Sequence, residues 1–222
     1  MQLIPNDLEI KELMNALLNE PEHYRYYYFL AIYTGCRRGE LCALKWSDFQ
    51  MINDIPTLTV SRSRSALPYS GVVEKGTKNN KERSILLSQD IYGVVKGYYY
   101  FKKMQCEELK IKMSEYLFTD DKGTLIHPDT FSKRLRNELE YPKAFHLHTL
   151  QHYFVSAMLH SGVDKQTVAD LAGHGDTSFL ERTYCHPQTL AKQKASVGMA
   201  NILFDSTAYI DADGKEQIIK TA

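Results

Sequence analysis

No stretch of this 222-residue chain approaches the roughly 18 consecutive apolar residues that a membrane-spanning helix needs, so no membrane span is expected. The amino terminus, M-Q-L-I-P-N-D-L-E-I, lacks the basic-then-apolar pattern of a secretory signal. Cysteine is scarce and scattered, at Cys36, Cys42, Cys106 and Cys185, with no C-x-x-C pair. That argues against a zinc site or a disulfide framework and fits a reducing, cytoplasmic setting. Net charge is absent too: 27 basic residues balance 27 acidic ones, which counts against gripping a polyanion by bulk charge alone. There are no internal repeats and no low-complexity segment. No carboxylate pair or histidine cluster sits at metal-ligand spacing, so no metal is expected.

What is present is an ordinary globular composition, 43% apolar and 24% charged, long enough for a sizeable core. Ile10, Leu13, Met14, Leu17 and Leu18 recur at helical spacing, which predicts an amphipathic helix over residues 5–19 capped by Asn6 or Asp7. Pro21 opens a second helix, E-H-Y-R-Y-Y-Y-F-L-A-I-Y-T, apolar around most of its circumference and therefore buried, and Gly35 ends it. A short helix follows from about Gly39 to Lys45. Between Thr57 and Leu87 the pattern changes to T-L-T-V-S-R-S, G-V-V-E-K-G-T-K and R-S-I-L-L, three strands of a small antiparallel sheet. Further helices are expected at 89–106, from Pro128, and around Leu150, Phe154, Ala157 and Met158. Gly162 breaks that last helix, Asp164 caps the next, and Gly173 ends it. A short helix carrying Tyr184, a final helix from Pro187 and a hairpin around a D-G turn complete the chain. The fold class is mainly α with a small three-stranded antiparallel sheet.

Polar residues gather at the junctions: Arg37, Lys78, His148, Gln151, His174 and Tyr184. Fixed donors of this kind cradle non-bridging phosphate oxygens. A tyrosine oxygen attacks phosphorus, and a lysine protonates a leaving oxygen. Local basic groups, Arg37-Arg38, Arg62 with Arg64, and Lys75, Lys78, Lys81 and Arg83, are candidate contacts to a polyanion.

In this arrangement the chain resembles the catalytic domain of the tyrosine recombinases, the phage and transposon integrase family. T-G-x-R-x-x-E-L matches Thr34, Gly35, Arg37, Glu40 and Leu41. The T-K-N turn before a strand matches Lys78. H-x-L-R-H-T-F matches His148, Leu150, His152 and Phe154. A G-H pair matches Gly173-His174, and the nucleophile followed by x-H matches Tyr184 with His186. The resemblance implies that Tyr184 attacks a DNA phosphate to give a 3′-phosphotyrosyl bond. Arg37 and His174 would stabilise the transition state, Lys78 would act as general acid and His148 would assist proton transfer, with no cofactor. It makes Arg38, Arg62, Arg64, Lys75, Lys81 and Arg83 candidate DNA contacts. Glu40 is expected to buttress the arginine turn, and His152 to be buried and structural.

The departure is Gln151, where the family pattern has a second arginine. A neutral amide lacks the charged bidentate fork, and losing one such donor costs on the order of 10²–10³ in rate. Either the domain is natively weak or it carries an inactivating arginine-to-glutamine change. A catalytically decayed DNA-binding or assembly module and a type IB topoisomerase-like enzyme are the alternatives. The resemblance further implies double-stranded DNA as partner and a separate N-terminal core-binding domain missing from this chain. It implies a tetramer on DNA and a bacterial, nucleoid-associated setting, with a monomer left open for the domain alone. Residues 1–204 are expected to form the catalytic domain, and 205–222 a tail that is mobile or exchanged between protomers.

Overall fold

The computed structural model describes residues 4–67, 71–77, 82–137, 139, 146–173, 177, 208–210 and 216–218. Helix α1 (Asp7–Ala16) is capped by Asn6, whose side-chain oxygen accepts from the Leu8 and Glu9 amides at 2.9 and 3.0 Å. The Glu9 carboxylate in turn accepts the Asn6 amide at 2.8 Å, closing a reciprocal box over donors that a helix start leaves orphaned. Ile10, Leu13 and Leu17 are buried, but Leu18, expected on the same stripe, is exposed. The chain tightens into a 3-10 turn over Leu17–Asn19, and three residues per turn rotate the stripe away from the core.

Helix α2 (Glu22–Thr34) is the hub. Tyr27 lies flat on Phe131 with ring centroids 3.5 Å apart, Tyr26 stacks on Tyr98 at 4.1 Å, and the Tyr28 hydroxyl donates to the Phe131 carbonyl at 2.5 Å. Its aromatic faces therefore hold α4 (Gln89–Glu108) and α5 (Pro128–Asn137) at once. Gly35 closes α2 with φ at +61°, and a Cβ there would collide with the Phe154 ring of α6 (Leu147–His160). The turn after α2 is thus pressed against α6. The short α3 (Arg38–Leu41) and α7 (Lys165–Ala172, capped by Asp164) complete the described helices.

A three-stranded antiparallel sheet is present, but with different members from those expected. Its order is β1 (Phe49–Ile52), β2 (Ile55–Val60), β5 (Arg83–Leu86), with buried Leu58 opposite both Phe49 and Ile85. The strand missed in sequence is β1. Asn53 and Asp54, both at positive φ, form the two-residue turn that pairs Ile52 with Ile55. The run T-L-T-V-S-R-S does not stay in one sheet. It divides at Ser61, and β3 (Arg62–Leu67) turns away to pair only with β4 (Gly71–Gly76). Gly39 of α3 allows that departure, since a Cβ there would lie 2.5 Å from Ser63 Oγ and 2.7 Å from the Arg64 carbonyl. In the tail, β6 (Ala208–Ile210) and β7 (Glu216–Ile218) pair antiparallel as the hairpin reading expects. The helices expected to carry Tyr184 and to start at Pro187 lie outside the described residues. Among the described residues no helix is long and apolar enough to cross a membrane.

Candidate active site

Arg37 stands between α2 and α3, and its position is set by one buried carboxylate. Its backbone amide donates to Glu40 Oε2 at 2.9 Å, and its Nη1 donates to Glu40 Oε1 at 3.1 Å. Glu40 is 1% exposed and accepts from a second guanidinium, that of Arg83, at 2.7 and 3.1 Å. Burial alone would push the Glu40 carboxyl up. The Arg83 hydrogen bonds and charge, followed by those of Arg37, outweigh burial and hold it below its ordinary range. Glu40 is therefore a fixed anion that orients Arg37, as its place in the sequence motif implies.

The other half of the site comes from the end of α7. A helix C-terminus leaves its last carbonyls without backbone partners. Here three successive carbonyls are each taken by a different side chain. Arg83 Nε donates to Leu171, Gln151 Nε2 to Ala172 and Arg37 Nη2 to Gly173, at 2.9, 3.1 and 2.9 Å. Two of the three donors are cations, favourable at this end of the helix dipole. Gly173 sits in the left-handed region at φ +69°, and a Cβ on it would lie 2.8 Å from Arg83 Nη1 and 2.9 Å from Arg37 Nη1. The left-handed backbone favours glycine there, and a Cβ would displace both guanidinia from their bonds.

Helix α6 supplies the wall. His148 lies in its first turn, its ring 4.4 Å from that of buried His152 and edge-on to it. Partial burial first, then His146 and Arg37, push the His148 imidazole below its ordinary value, while Gln151 opposes the shift. A ring so placed is neutral near pH 7 and suited to passing a proton rather than holding a charge. Gln151 is 3% exposed, and its Oε1 is buried without a hydrogen-bond partner among the described residues. These walls enclose a cleft of about 300 Å³ lined by Arg37, Arg38, Ser132, His146, His148 and Gln151, with Leu147 between the histidines.

Three of the six residues expected to carry the chemistry, Arg37, His148 and Gln151, converge on this cleft. Lys78, His174 and Tyr184 lie outside the described residues, as does Lys81. Lys75 is exposed on β4, opposite Ser63. Arg38 borders the cleft and pairs with Asp129 at 2.6 Å. Three of the expected surface cations are committed inward instead. Arg83 has 11% of its side chain exposed and is bound to Glu40 and Leu171. Arg64 is buried, donates to the Cys42 carbonyl and lies over the Tyr116 ring. Arg62 grips Asp48 at 2.6 and 2.7 Å. The alternation of strands carried the signal: Arg83 shares its side of β5 with buried Ile85, and Leu87 beyond it is also buried. His146 and Ser132 were not singled out by sequence. His146 stands two residues before His148 in an H-x-H frame, but Ser132 enters from a distant helix and leaves no local signal. Among the described residues no three His, Cys, Asp or Glu side chains are grouped to hold a metal ion.

Comparison with known proteins places this geometry in context. The model of the phage integrase family matches residues 6–190. A XerC-like tyrosine recombinase of Caldanaerobacter subterraneus is 26% identical over 221 residues, covering 90% of this chain and 54% of that protein. The ICEBs1 integrase of Bacillus subtilis is 25% identical over 182 residues, covering 80% and 49%. The chain thus spans about half the length of the curated relatives it matches. Among solved structures, the Tn1549 transposon integrase in complex with transposon right end DNA superposes with a TM-score of 0.70 at 14% identity, covering 90% of this chain and 66% of that one. The XerA recombinase crystal structure gives 0.60 at 22%, covering 90% and 65%. At these identities the structural likeness establishes the fold.

Proposed function

This chain belongs to the phage integrase family, and from that premise we propose that it is the catalytic domain of a site-specific tyrosine recombinase that integrates or excises a mobile element. The Tyr184 hydroxyl oxygen attacks a DNA phosphorus, a 3′-phosphotyrosyl bond forms, and the 5′-oxygen leaves with a proton from Lys78. The reverse attack by another 5′-hydroxyl rejoins the strands and frees the tyrosine. Arg37 and His174 stabilise the charge on the non-bridging oxygens, and His148 relays the proton of the attacking hydroxyl. The observation that carries the reading is the convergence of Arg37, His148 and position 151 on one cleft from segments more than a hundred residues apart. Residues 1–204 form the catalytic unit. It acts on double-stranded DNA beside an N-terminal core-binding domain, within a tetramer in which residues 205–222 pass to a neighbour.

A second reading is favoured by one contact. The Gln151 amide donates to the Ala172 carbonyl, so it supports α7 and brings no charge to a phosphate. On that reading the chain is a DNA-binding or assembly module whose chemistry has decayed. A nicked suicide substrate bearing the cognate site separates the two. The recombinase reading expects a covalent protein–DNA adduct that Tyr184→Phe abolishes and Gln151→Arg increases by about 10²–10³. No adduct from Gln151→Arg, with the N-terminal domain supplied, sinks the enzyme reading. Adduct from Tyr184→Phe removes Tyr184 as nucleophile.

A further inference from the structure

We propose that Arg38 supplies the second cation of the phosphate cleft, in the role that Gln151 cannot fill. The inference rests on the cleft being the phosphate site described above. Position 151 is a weak partner for an incoming anion: its side chain is neutral, 3% exposed and committed through Nε2 to the Ala172 carbonyl. Arg37 is already partly committed, with one N–H of Nη1 bound to Glu40 and one of Nη2 to Gly173, so a clamp on a phosphate gains from a second cation. Among the described residues, the lining of the cleft contains one other guanidinium, that of Arg38.

Arg38 is also the arginine in this region free to change partner. Arg83 and Arg64 are held by buried acceptors, and Arg62 by Asp48, which is itself buried. Arg38 is held by Asp129, with side chains 43% and 41% exposed. An ion pair that open to water contributes little to stability, so exchanging carboxylate for phosphate costs little. The guanidinium fork gains a bidentate, charge-assisted contact in return. Asp129 is then a placeholder: it keeps Arg38 at the cleft edge until an anion arrives.

The test is titration of the 222-residue chain with inorganic phosphate, followed through the imidazole NMR signals of His146 and His148, with thermal melts to establish folding. Arg38→Gln should weaken phosphate binding by about 10-fold or more, the effect of one charge-assisted hydrogen bond. Arg38→Lys should lose less, retaining charge without the fork. Lys133→Gln, an exposed charge of α5 away from the cleft lining, should change binding by less than about twofold, since solvent screens it. With Gln151→Arg in place, Arg38→Gln should cost less than about threefold, because the second guanidinium then comes from α6. Unchanged binding in Arg38→Gln overturns the inference. So does an equal loss in both backgrounds, or phosphate that shifts neither imidazole. Phosphate binding involves neither Tyr184 nor strand cleavage. A failed adduct assay therefore removes the recombinase reading and leaves this result standing, and the converse also holds.

Discussion

Glu40 and Arg83 face each other inside the protein through two hydrogen bonds, Nη2 to Oε2 at 2.7 Å and Nη1 to Oε1 at 3.1 Å, across a separation of 43 residues. The carboxylate side chain is 2% exposed and the guanidinium 11%. A pair so enclosed gains little over apolar residues of the same size, and losing Arg83 leaves the buried Glu40 with Arg37 as its remaining cation.

Arg83→Met should therefore destabilise the protein by about 1.5–3 kcal/mol, the loss of hydrogen bonds to a charged group that still has Arg37 beside it. The double replacement Arg83→Met with Glu40→Gln should cost clearly less than the sum of the single ones. Urea unfolding of the four proteins reads the coupling. Additive losses would mean that the two groups do not depend on each other.

The depressed Glu40 carboxyl has a consequence in acid. A group whose folded value lies below its unfolded one gives stability that is present above the unfolded value and lost as pH falls through the folded one. Unfolding free energy should drop as pH moves below the ordinary carboxylate range. In Glu40→Gln that part of the slope should vanish, and a slope identical to the parent's would assign acid sensitivity elsewhere.

Gly35→Ala should cost more than about 2 kcal/mol. A side chain at φ +61° is strained by about 1–2 kcal/mol, and its Cβ would also overlap the Phe154 ring. Phe154→Leu should recover part of that loss in the double variant. Thermal unfolding measures it, and equal melting points for Gly35→Ala with and without Phe154→Leu would refute the contact.

His148 should titrate below an ordinary histidine in an NMR pH series. His146→Asn should raise its midpoint more than Arg37→Gln does, following the order in which the two neighbours depress it. The reverse order would make Arg37, not His146, the stronger influence on the ring and refute this reading.

Much of this was legible in the sequence, for physical reasons that differ by residue. The caps at Asn6 and Asp164, and the stops at Gly35 and Gly173, depend on a few neighbouring atoms and were read correctly. Arg37, His148 and Gln151 were selected by local frames, and the cleft joins them. Strand β1 was missed because its apolar alternation is short and its turn is Asn-Asp rather than a glycine dipeptide. Arg62, Arg64 and Arg83 were read as surface groups because charge normally seeks water. Arg64 is buried, Arg83 nearly so and Arg62 half-buried, each held by Cys42, Glu40 or Asp48, partners that only the tertiary fold delivers. The far wall of the cleft, at Ser132, is likewise a product of α5 docking on α2.

The three carbonyls at the end of α7 are pinned by donors from three separate segments of the chain. Gly173 is therefore a fixed mooring point for whatever follows it. Tyr184 stands eleven residues further on, so its tether spans at most roughly 40 Å. Wherever Tyr184 acts, it does so within that reach of a carbonyl held by the same arginine that lines the cleft.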